Sequence, residues 1–385
     1  MPNRFIYEKP FKAVCLTTPH TFAIKEFSYS FDDNVSIPQM SSNGIIALPG
    51  KTEDFQHFVL LKVEGCGICS TDLHMYGGKR FLYEQANFGN PVIPGHEIFG
   101  KVVWADGSHA HLMDQDVVVD PIIDCFKEPQ CRYCQQRKNY MHVPFQEMGI
   151  CGRVPGGMAQ YTIGLAKNCY PVNRSLTAKQ KALIEPLATV LYALRDILKL
   201  DANPRSYAIM GSGNVGLLAL QCIKLLNRRN FVALIDKNPI KLNLARQLGA
   251  DEIIDAELNK IDAVRDCLPK IGKPNGFDVV LEMSGADSAI NLIPHIATKC
   301  AQILLYGLGH RHVEIDQFDL FIEKELGMVS SLGASNQKRF QEAVDLVPSL
   351  ESDRIISHEY RFDTLGQLFQ RKILDKTHIK GVLLP

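Results

Sequence analysis

The sequence predicts an α/β protein of two domains, a largely β domain joined to a doubly wound domain built on a parallel sheet. Three observations carry this reading. The chain has 385 residues, more than one ordinary hydrophobic core encloses. Its early part reads as short β segments punctuated by glycine and proline, and from residue 177 helices alternate with buried-looking strands. Within that second part, "SYAIMGSGNVG" (206–216) runs a strand into a glycine-rich turn, and the apolar helix "LLALQCIKLLN" follows.

Taken in order, the β segments are "KAVCLTT", "FVLLKVEG", "EIFGKVVWA", "QDVVVDP" and "AQYTIGL". Their brevity and turn-forming borders predict a looped, largely antiparallel domain. Beginning at "TAKQKALIEPLATVLYALRDILKL", apolar residues recur at i, i+3 and i+4, which predicts helices of about 12–20 residues. These alternate with "SYAIMG", "FVALID", "DEIID", "FDVVLEMSG" and "AQILLYGLG". Strands that alternate with helices imply crossover connections and hence a parallel sheet. The text becomes mixed again through "HEYRFDTLGQLFQRKILDKTHIKGVLLP", so the expected domains are 1–186 with 334–385, and 187–333. The stretch "SFDDNVSIPQMSSNGIIALPGKTEDFQ" reads as an insert, and the chain contains no internal repeat or low-complexity tract.

Composition narrows the function classes. With 46% hydrophobic and 22% charged residues, and 42 basic against 42 acidic side chains, the chain reads as a soluble globular protein without a polyanion-binding surface. Nucleic acid and membrane are therefore not expected partners. The segment "MPNRFIYEKPFKAVCLTT" has no apolar signal core, and no stretch reaches the roughly 18 apolar residues of a membrane span, so a cytoplasmic location is expected. Eleven scattered cysteines read as reduced thiols, some recruited as metal ligands, rather than as a disulfide framework.

The glycine motif is Gly211-x-Gly213-x-x-Gly216, with Asn214 and Val215 inside it. Such glycines allow a tight turn, close approach to a pyrophosphate and close helix–strand packing, while the helix N-terminus offers free N–H groups to phosphate. The next strand ends in Asp236, 20 residues after Gly216, where a carboxylate accepts hydrogen bonds from a ribose and repels a 2′-phosphate. That favours NAD over NADP, although Lys237 beside it softens the preference. The bland alternative is a glycine-rich turn that binds no cofactor.

The candidate metal ligands are Cys69 in "GCGICSTDLH" (65–74), His96 and Glu97 in "PVIPGHEIFGKVV", and Glu185 in "EPLATVLYAL". Thiolate, imidazole and carboxylate together suit zinc, and a catalytic zinc uses about three protein ligands and keeps a position open. Taken singly, His96 is as consistent with an ordinary loop or core histidine, and each glutamate with a solvated one. In combination, these motifs with "DVVVDP", "GGMAQY", the glycine motif and "FDVVLEMSG" resemble, over nearly the whole chain, the zinc-dependent medium-chain alcohol and polyol dehydrogenases. "EPLA" is similar to the sorbitol and threonine dehydrogenase branch.

The resemblance implies a GroES-like catalytic domain and a Rossmann nucleotide-binding domain. By motif position it implies that Cys69 and His96 hold the catalytic zinc, with Glu97 as ligand or neighbouring carboxylate and Glu185 as a third or alternating ligand. It also implies that Asp72 orients the zinc site, that Thr71 lies on the alcohol's proton path and that His74 passes the proton outward. Cys66, the other thiol of the C-x-x-C pair, is then a bystander, since two thiolates with His96 and Glu185 would complete a tetrahedron and leave no place for substrate. The implied reaction interconverts a secondary alcohol and a ketone with NAD, on a polyol, cyclitol, sugar-like alcohol or amino alcohol. The competing readings are a zinc-free reductase of the same superfamily and a catalytically silent binding protein. The resemblance further implies a homo-oligomer, dimer or tetramer.

Between the two zinc motifs, Tyr76, Phe81 and Tyr83 either shape a pocket or pack the loop, and Lys79 and Arg80 either bind an anionic substrate group or are solvated. The cluster "DCFKEPQCRYCQQRKNYMH" (124–142) is similar to the family's structural-zinc lobe, with Cys125, Cys131, Cys134 and His142 as ligands; strict spacing would put Glu128 first instead of Cys125. A nucleic-acid zinc module would need a helix-borne second ligand pair and a basic face, and neither is evident. The expected outcome is two zinc ions per chain by elemental analysis, falling to one in Cys131→Ser; a single zinc unchanged by that substitution contradicts the lobe.

Overall fold

The computed structural model describes residues 9–34, 39–40, 44–49, 57–78, 92–123, 131–135, 141, 147–150, 154–256, 264–265, 267–309, 312–366 and 376–385. It divides into two compact units, Met1–Glu185 with Asn336–Pro348 and Ser352–Pro385, and Pro186–Ser335 with Ser349–Glu351. Among the described residues no helix is long and apolar enough to cross a membrane.

The first unit contains β1 (Phe11–Thr18), β2 (Thr21–Asp32), β3 (Gln39–Met40), β4 (Ile45–Pro49), β5 (Phe58–Ile68), β6 (Glu97–Trp104), β7 (Asp116–Val119), β8 (Tyr161–Leu165) and β9 (Cys169–Pro171). The second contributes β10 (Ser206–Met210), β11 (Phe231–Asp236), β12 (Glu252–Asp255), β13 (Phe277–Glu282), β14 (Ala297–Leu305) and β15 (Gly327–Ser330). The chain then returns to the first unit with β16 (Ile356–Tyr360) and β17 (Lys380–Leu383).

A seven-stranded sheet in the order β16-β17-β5-β6-β7-β9, with β8 also on β5, is the frame of the first unit. Strand β5 is apolar on both faces and lies at its centre, so only Lys62 and Glu64 reach water along its length. The core around it includes Phe58, Leu60, Leu61, Ile98, Val102 and Val117. Lys181 is 7% exposed and bridges Asp116 at 3.0 Å and Glu64 at 3.1 Å, which satisfies its buried ammonium.

Pairing in this unit is mostly antiparallel, but β2 pairs with β4 and β16 with β17 in parallel. The insert-like stretch supplies β3 and β4, so it extends β1 and β2 into a four-stranded sheet, order β1-β2-β4-β3. The long strand β2 escapes a hydrophobicity reading because its first half, Thr21–Glu26, is largely exposed and lacks an alternating apolar face.

The second unit holds six parallel strands in the order β12-β11-β10-β13-β14-β15. Counted from β10 this is 3-2-1-4-5-6, the strand order of the dinucleotide-binding α/β fold. Strand β10 is fully buried and leads through the glycine turn into α1 (Asn214–Leu226); α2 (Pro239–Gln247) follows β11, and α3 (Asp287–Ile296) follows β13. Asn238 caps α2 by accepting from the N–H groups of Ile240 and Lys241, with Pro239 in the first turn. At 9, 10 and 13 residues these helices are shorter than the periodicity predicts, apart from α1, since caps and turns such as Gly249 (φ 98°) end them earlier.

Candidate metal centre and nucleotide cradle

Two strand registers assemble the metal centre within the first unit. In the β5–β6 pair Gly67 lies opposite Glu97, and in the β17–β5 pair Gly381 lies opposite Ile68. Lys380, Cys69 and Glu97 are therefore brought together from three distant parts of the sequence. The short helix Ser70–Tyr76 starts directly after Cys69, and the Asp72 carboxylate accepts from the Cys69 backbone N–H at 2.8 Å, fixing the thiol at the helix entrance. Glycine is required at position 67 for space, because a Cβ there would lie 1.9 Å from Glu97 Oε2.

One ligand atom from each of Cys69, His96 and Glu97 lies within 4.8 Å of the others. His96 and Glu97 are 5% and 2% exposed. Burial opposes a thiolate at Cys69, but the adjacent His96 outweighs it and holds the thiol below its ordinary value. Burial likewise opposes a charged His96, and Cys69, Asp72 and Glu147 together push it well above the ordinary imidazole. Among the described residues Asp72 Oδ1, His96 Nδ1 and Glu97 Oε2 are buried without a hydrogen-bond partner. Unpartnered buried acceptors beside a thiolate are costly, and a divalent cation removes the cost. Sulfur, nitrogen and oxygen donors in this set fit zinc.

Other predicted residues fall around this set. Asp72 Oδ1 lies 3.9 Å from His96 Nδ1, an orienting charge rather than a hydrogen bond, and Thr71 Oγ1 is 3.6 Å from Cys69 Sγ. His74 lies one turn along the same helix, half-buried. Glu185 is not one of the three clustered ligands; burial pushes its carboxyl well up, and His96 opposes that shift while Glu97, Cys69 and Glu147 add to it. Cys66 is fully buried, and burial with Asp72 and Glu97 nearby holds it as a neutral thiol, packed where a Cβ on Gly95 would come within 2.6 Å. Tyr76 packs against His20 and Phe22, with ring centroids 5.4 and 6.1 Å away. Lys79, Arg80, Phe81, Tyr83, Cys125, Glu128 and His142 lie outside the described residues, as does the side chain of Cys134; Cys131 is described and half-buried.

At the metal centre, sequence reasoning missed two groups. Lys380 is 1% exposed, and its Nζ donates to Glu97 Oε1. Its signal was a lone lysine in the apolar "HIKGVLLP". Glu147 bridges to Ile122 and stands beside the metal set, where burial pushes its carboxyl up to about 7, with His96 opposing and Asp72 reinforcing the shift. Nothing in its sequence context marks it.

In the second unit, Gly211 has φ 106°, a conformation that glycine adopts without strain. A Cβ on Gly216 would come within 2.0 Å of the Gly211 carbonyl oxygen, whereas one on Gly213 would meet nothing within 4 Å. The turn is thus packed on the sheet side and open where α1 begins, the geometry that accepts a pyrophosphate. Asp236 accepts from the Ser212 N–H at 2.6 Å and the Asn238 N–H at 2.9 Å, which ties the end of β11 to the glycine turn; Asn214, Val215 and Lys237 flank it. Glu282, unremarked in the sequence, is 1% exposed and organises the end of β13 by accepting from Ser284 N–H and Oγ–H and Gly285 N–H.

A parallel 3-2-1-4-5-6 sheet with this cradle, and a Cys–His–Glu cluster in a β unit, define a metal- and nucleotide-dependent dehydrogenase. Residues 56–174 match the alcohol dehydrogenase GroES-like domain and residues 214–349 the zinc-binding dehydrogenase domain. D-arabinitol dehydrogenase 1 of Uromyces fabae is 31% identical over 312 residues, 79% of this chain and 84% of that protein. L-threonine 3-dehydrogenase of Idiomarina loihiensis is 27% identical over 317 residues, 82% and 89% of the two chains. The crystal structure of a putative zinc-binding dehydrogenase from Sinorhizobium meliloti bound to NADP superposes with a TM-score of 0.79 at 25% identity, covering 98% of this chain and 100% of that one. The chain belongs to the zinc-dependent medium-chain alcohol and polyol dehydrogenase family.

Cys69→Ser is expected to lose the bound zinc and to reduce turnover by about a thousandfold or more, the scale of several kcal/mol of lost charge stabilisation. Cys66→Ala is expected to keep zinc and activity at a cost of about 1 kcal/mol in stability. Elemental analysis with thermal unfolding checks both; equal zinc loss from the two substitutions contradicts the assignment.

Proposed function

We propose that the protein oxidises a secondary alcohol to a ketone with NAD, with zinc at Cys69 and His96 and a carboxylate from Glu97 or Glu185. The observation that carries this reading is the buried Cys69–His96–Glu97 set, three ligand types within 4.8 Å. When bound, zinc supplies the Lewis acidity that makes an alcohol acidic enough to lose its proton near neutral pH, and NAD supplies the hydride acceptor.

The chain's own groups do the rest. Asp72 faces the His96 ring at 3.9 Å and holds its orientation by charge. Lys380 occupies Glu97 Oε1 and leaves Oε2 for a cation. The Thr71 hydroxyl, 3.6 Å from Cys69 Sγ, takes the alcohol's proton first and His74 carries it on. Asp236 receives the adenosine ribose hydroxyls. Its charge disfavours a 2′-phosphate, which supports NAD over NADP, and a carboxylate at that place outweighs the flanking Lys237.

The names of the relatives, D-arabinitol and L-threonine dehydrogenases, support a polyol or amino-alcohol substrate. The proposal includes a second, structural zinc at Cys125, Cys131, Cys134 and His142, a homo-oligomer and a cytoplasmic location, with neither nucleic acid nor membrane as partner. The intact ligand set favours this reading over a zinc-free reductase or a silent binding protein.

NADH absorbance measured with a panel of polyols and amino alcohols tests the reading. Turnover is expected with at least one of them, abolished by a chelator and restored by zinc; chelator-insensitive turnover or none at all would falsify the proposal. Asp236→Ser is expected to shift the NAD-to-NADP ratio of kcat/KM toward NADP by about tenfold or more, since it removes a like-charge contact; an unchanged ratio contradicts the role of Asp236.

A further inference from the structure

Glu282, 1% exposed at the carboxyl end of β13, ties together two turns that the chemistry above does not use. Its Oε1 accepts from Ser284 N–H at 2.8 Å, Ser284 Oγ–H at 2.6 Å and Gly285 N–H at 2.8 Å. Its backbone carbonyl accepts from Tyr306 N–H at 2.9 Å and Gly307 N–H at 3.0 Å, so the same residue also fixes the exit of β14. The two turns are pressed together. A Cβ on Gly307 would lie 2.1 Å from Gly285 N and 2.7 Å from Glu282 Oε2, and one on Gly309 would lie 1.7 Å from the Gly285 carbonyl oxygen. Gly285 itself has φ 67°, in the left-handed region that favours glycine. Ser284 and Leu308, at the tips of the turns, are exposed, so the clamp is closed beneath and open at the sheet edge.

A dinucleotide lies across the point where the strand order reverses, here between β10 and β13, with one mononucleotide on each half of the sheet. By the reading above, the glycine turn after β10 takes the pyrophosphate and Asp236 at the end of β11 takes the adenosine ribose. The ends of β13 and β14 are left for the nicotinamide nucleotide. The two halves have separate anchors. Asp236, bonded to Ser212 N–H at 2.6 Å, and the Gly211 N–H bond to Ile235 O at 2.8 Å hold the first half, whereas Glu282 holds the second. Hydride transfer needs the reacting carbons in register, and a displacement of about 1 Å can lower the rate by about a hundredfold. A buried acid bonded under two packed glycine turns gives the rigid support that such precision requires.

Building on the NAD-dependent reading, we propose that Glu282 is a positioning residue for the nicotinamide end of the cofactor. It sets the Ser284–Gly285 and Gly307–Gly309 turns on which that end rests, and it takes no part in holding the adenosine end. Truncation to alanine leaves the Ser284 and Gly285 donors without their acceptor and removes the link between the turns, while the bonds of Asp236 remain.

Calorimetric titration with NADH and with ADP, which carries the adenosine and pyrophosphate but neither the second ribose nor the ring, tests this in the parent, Glu282→Ala, Glu282→Gln and Ser284→Ala. The fluorescence of bound NADH reports the surroundings of the ring. Glu282→Ala is expected to weaken NADH about tenfold and to move its emission toward that of free NADH, with ADP affinity within about twofold of the parent. Glu282→Gln, which keeps an acceptor, is expected to recover most of the loss. Ser284→Ala, an exposed change that removes one of the three bonds to Oε1, is expected to weaken NADH about threefold with ADP unaffected, and it decides the matter if Glu282→Ala does not fold. Parallel weakening of NADH and ADP, or no change in either, overturns the role of Glu282 alone. A parent that does not bind NADH overturns the NAD reading, and the Glu282 proposal falls with it.

Discussion

Lys380 and Glu97 form an ion pair with almost no access to water, at 1% and 2% exposure, and the rest of the metal centre depends on it. Taking two such groups out of water costs several kcal/mol each, which only close pairing and further polar partners offset. Burial alone would discharge the lysine, but Glu97 first, then Cys69 and Glu185, raise its affinity for the proton. The pair exists because β17 and β6 flank β5, so the last strand of the chain delivers a cation to a carboxylate 283 residues away. With one Glu97 oxygen held by Lys380, the other is buried as an unpartnered acceptor in a residue that clusters with Cys69 and His96. The sheet register thus sets both the position and the charge of the site.

The nucleotide unit meets a different demand. The cradle relies on backbone N–H groups freed at the start of α1, and on glycines that keep side chains out of the way. Two carboxylates, Asp236 and Glu282, accept backbone N–H groups at the ends of β11 and β13. Each orders a turn at the carboxyl edge of a parallel sheet, the edge on which such folds bind their ligands. In both units, then, acids at strand ends organise the site.

Much of this was legible in the sequence, for local reasons. The strand–glycine–helix passage at 206–226 is contiguous, so periodicity and spacing suffice to read it. Cys69, His96 and Glu97 were visible through motif resemblance, although only the β5–β6 pairing explains why they meet. Lys380 was not, because its partner lies in a strand paired through β5 and no sequence spacing encodes that relation. Glu147 escaped for a similar reason: Gly149, two residues on, packs against Gly95, a contact between a loop and a motif far upstream. Strand β2 and the parallel pairing of β2 with β4 were hidden by an exposed face that lacks alternation. The glycine passage could be read from neighbours in sequence, while neighbours across a sheet required the structure.

The central claim is that this sheet builds a zinc site with one cysteine ligand. Crystals of the zinc-loaded protein, measured on both sides of the zinc absorption edge, test it most directly. The account predicts an anomalous peak enclosed by Cys69 and His96 with a carboxylate, and with Cys66 turned away. A peak ligated by Cys66 and Cys69 together, or no peak at these residues, would contradict it.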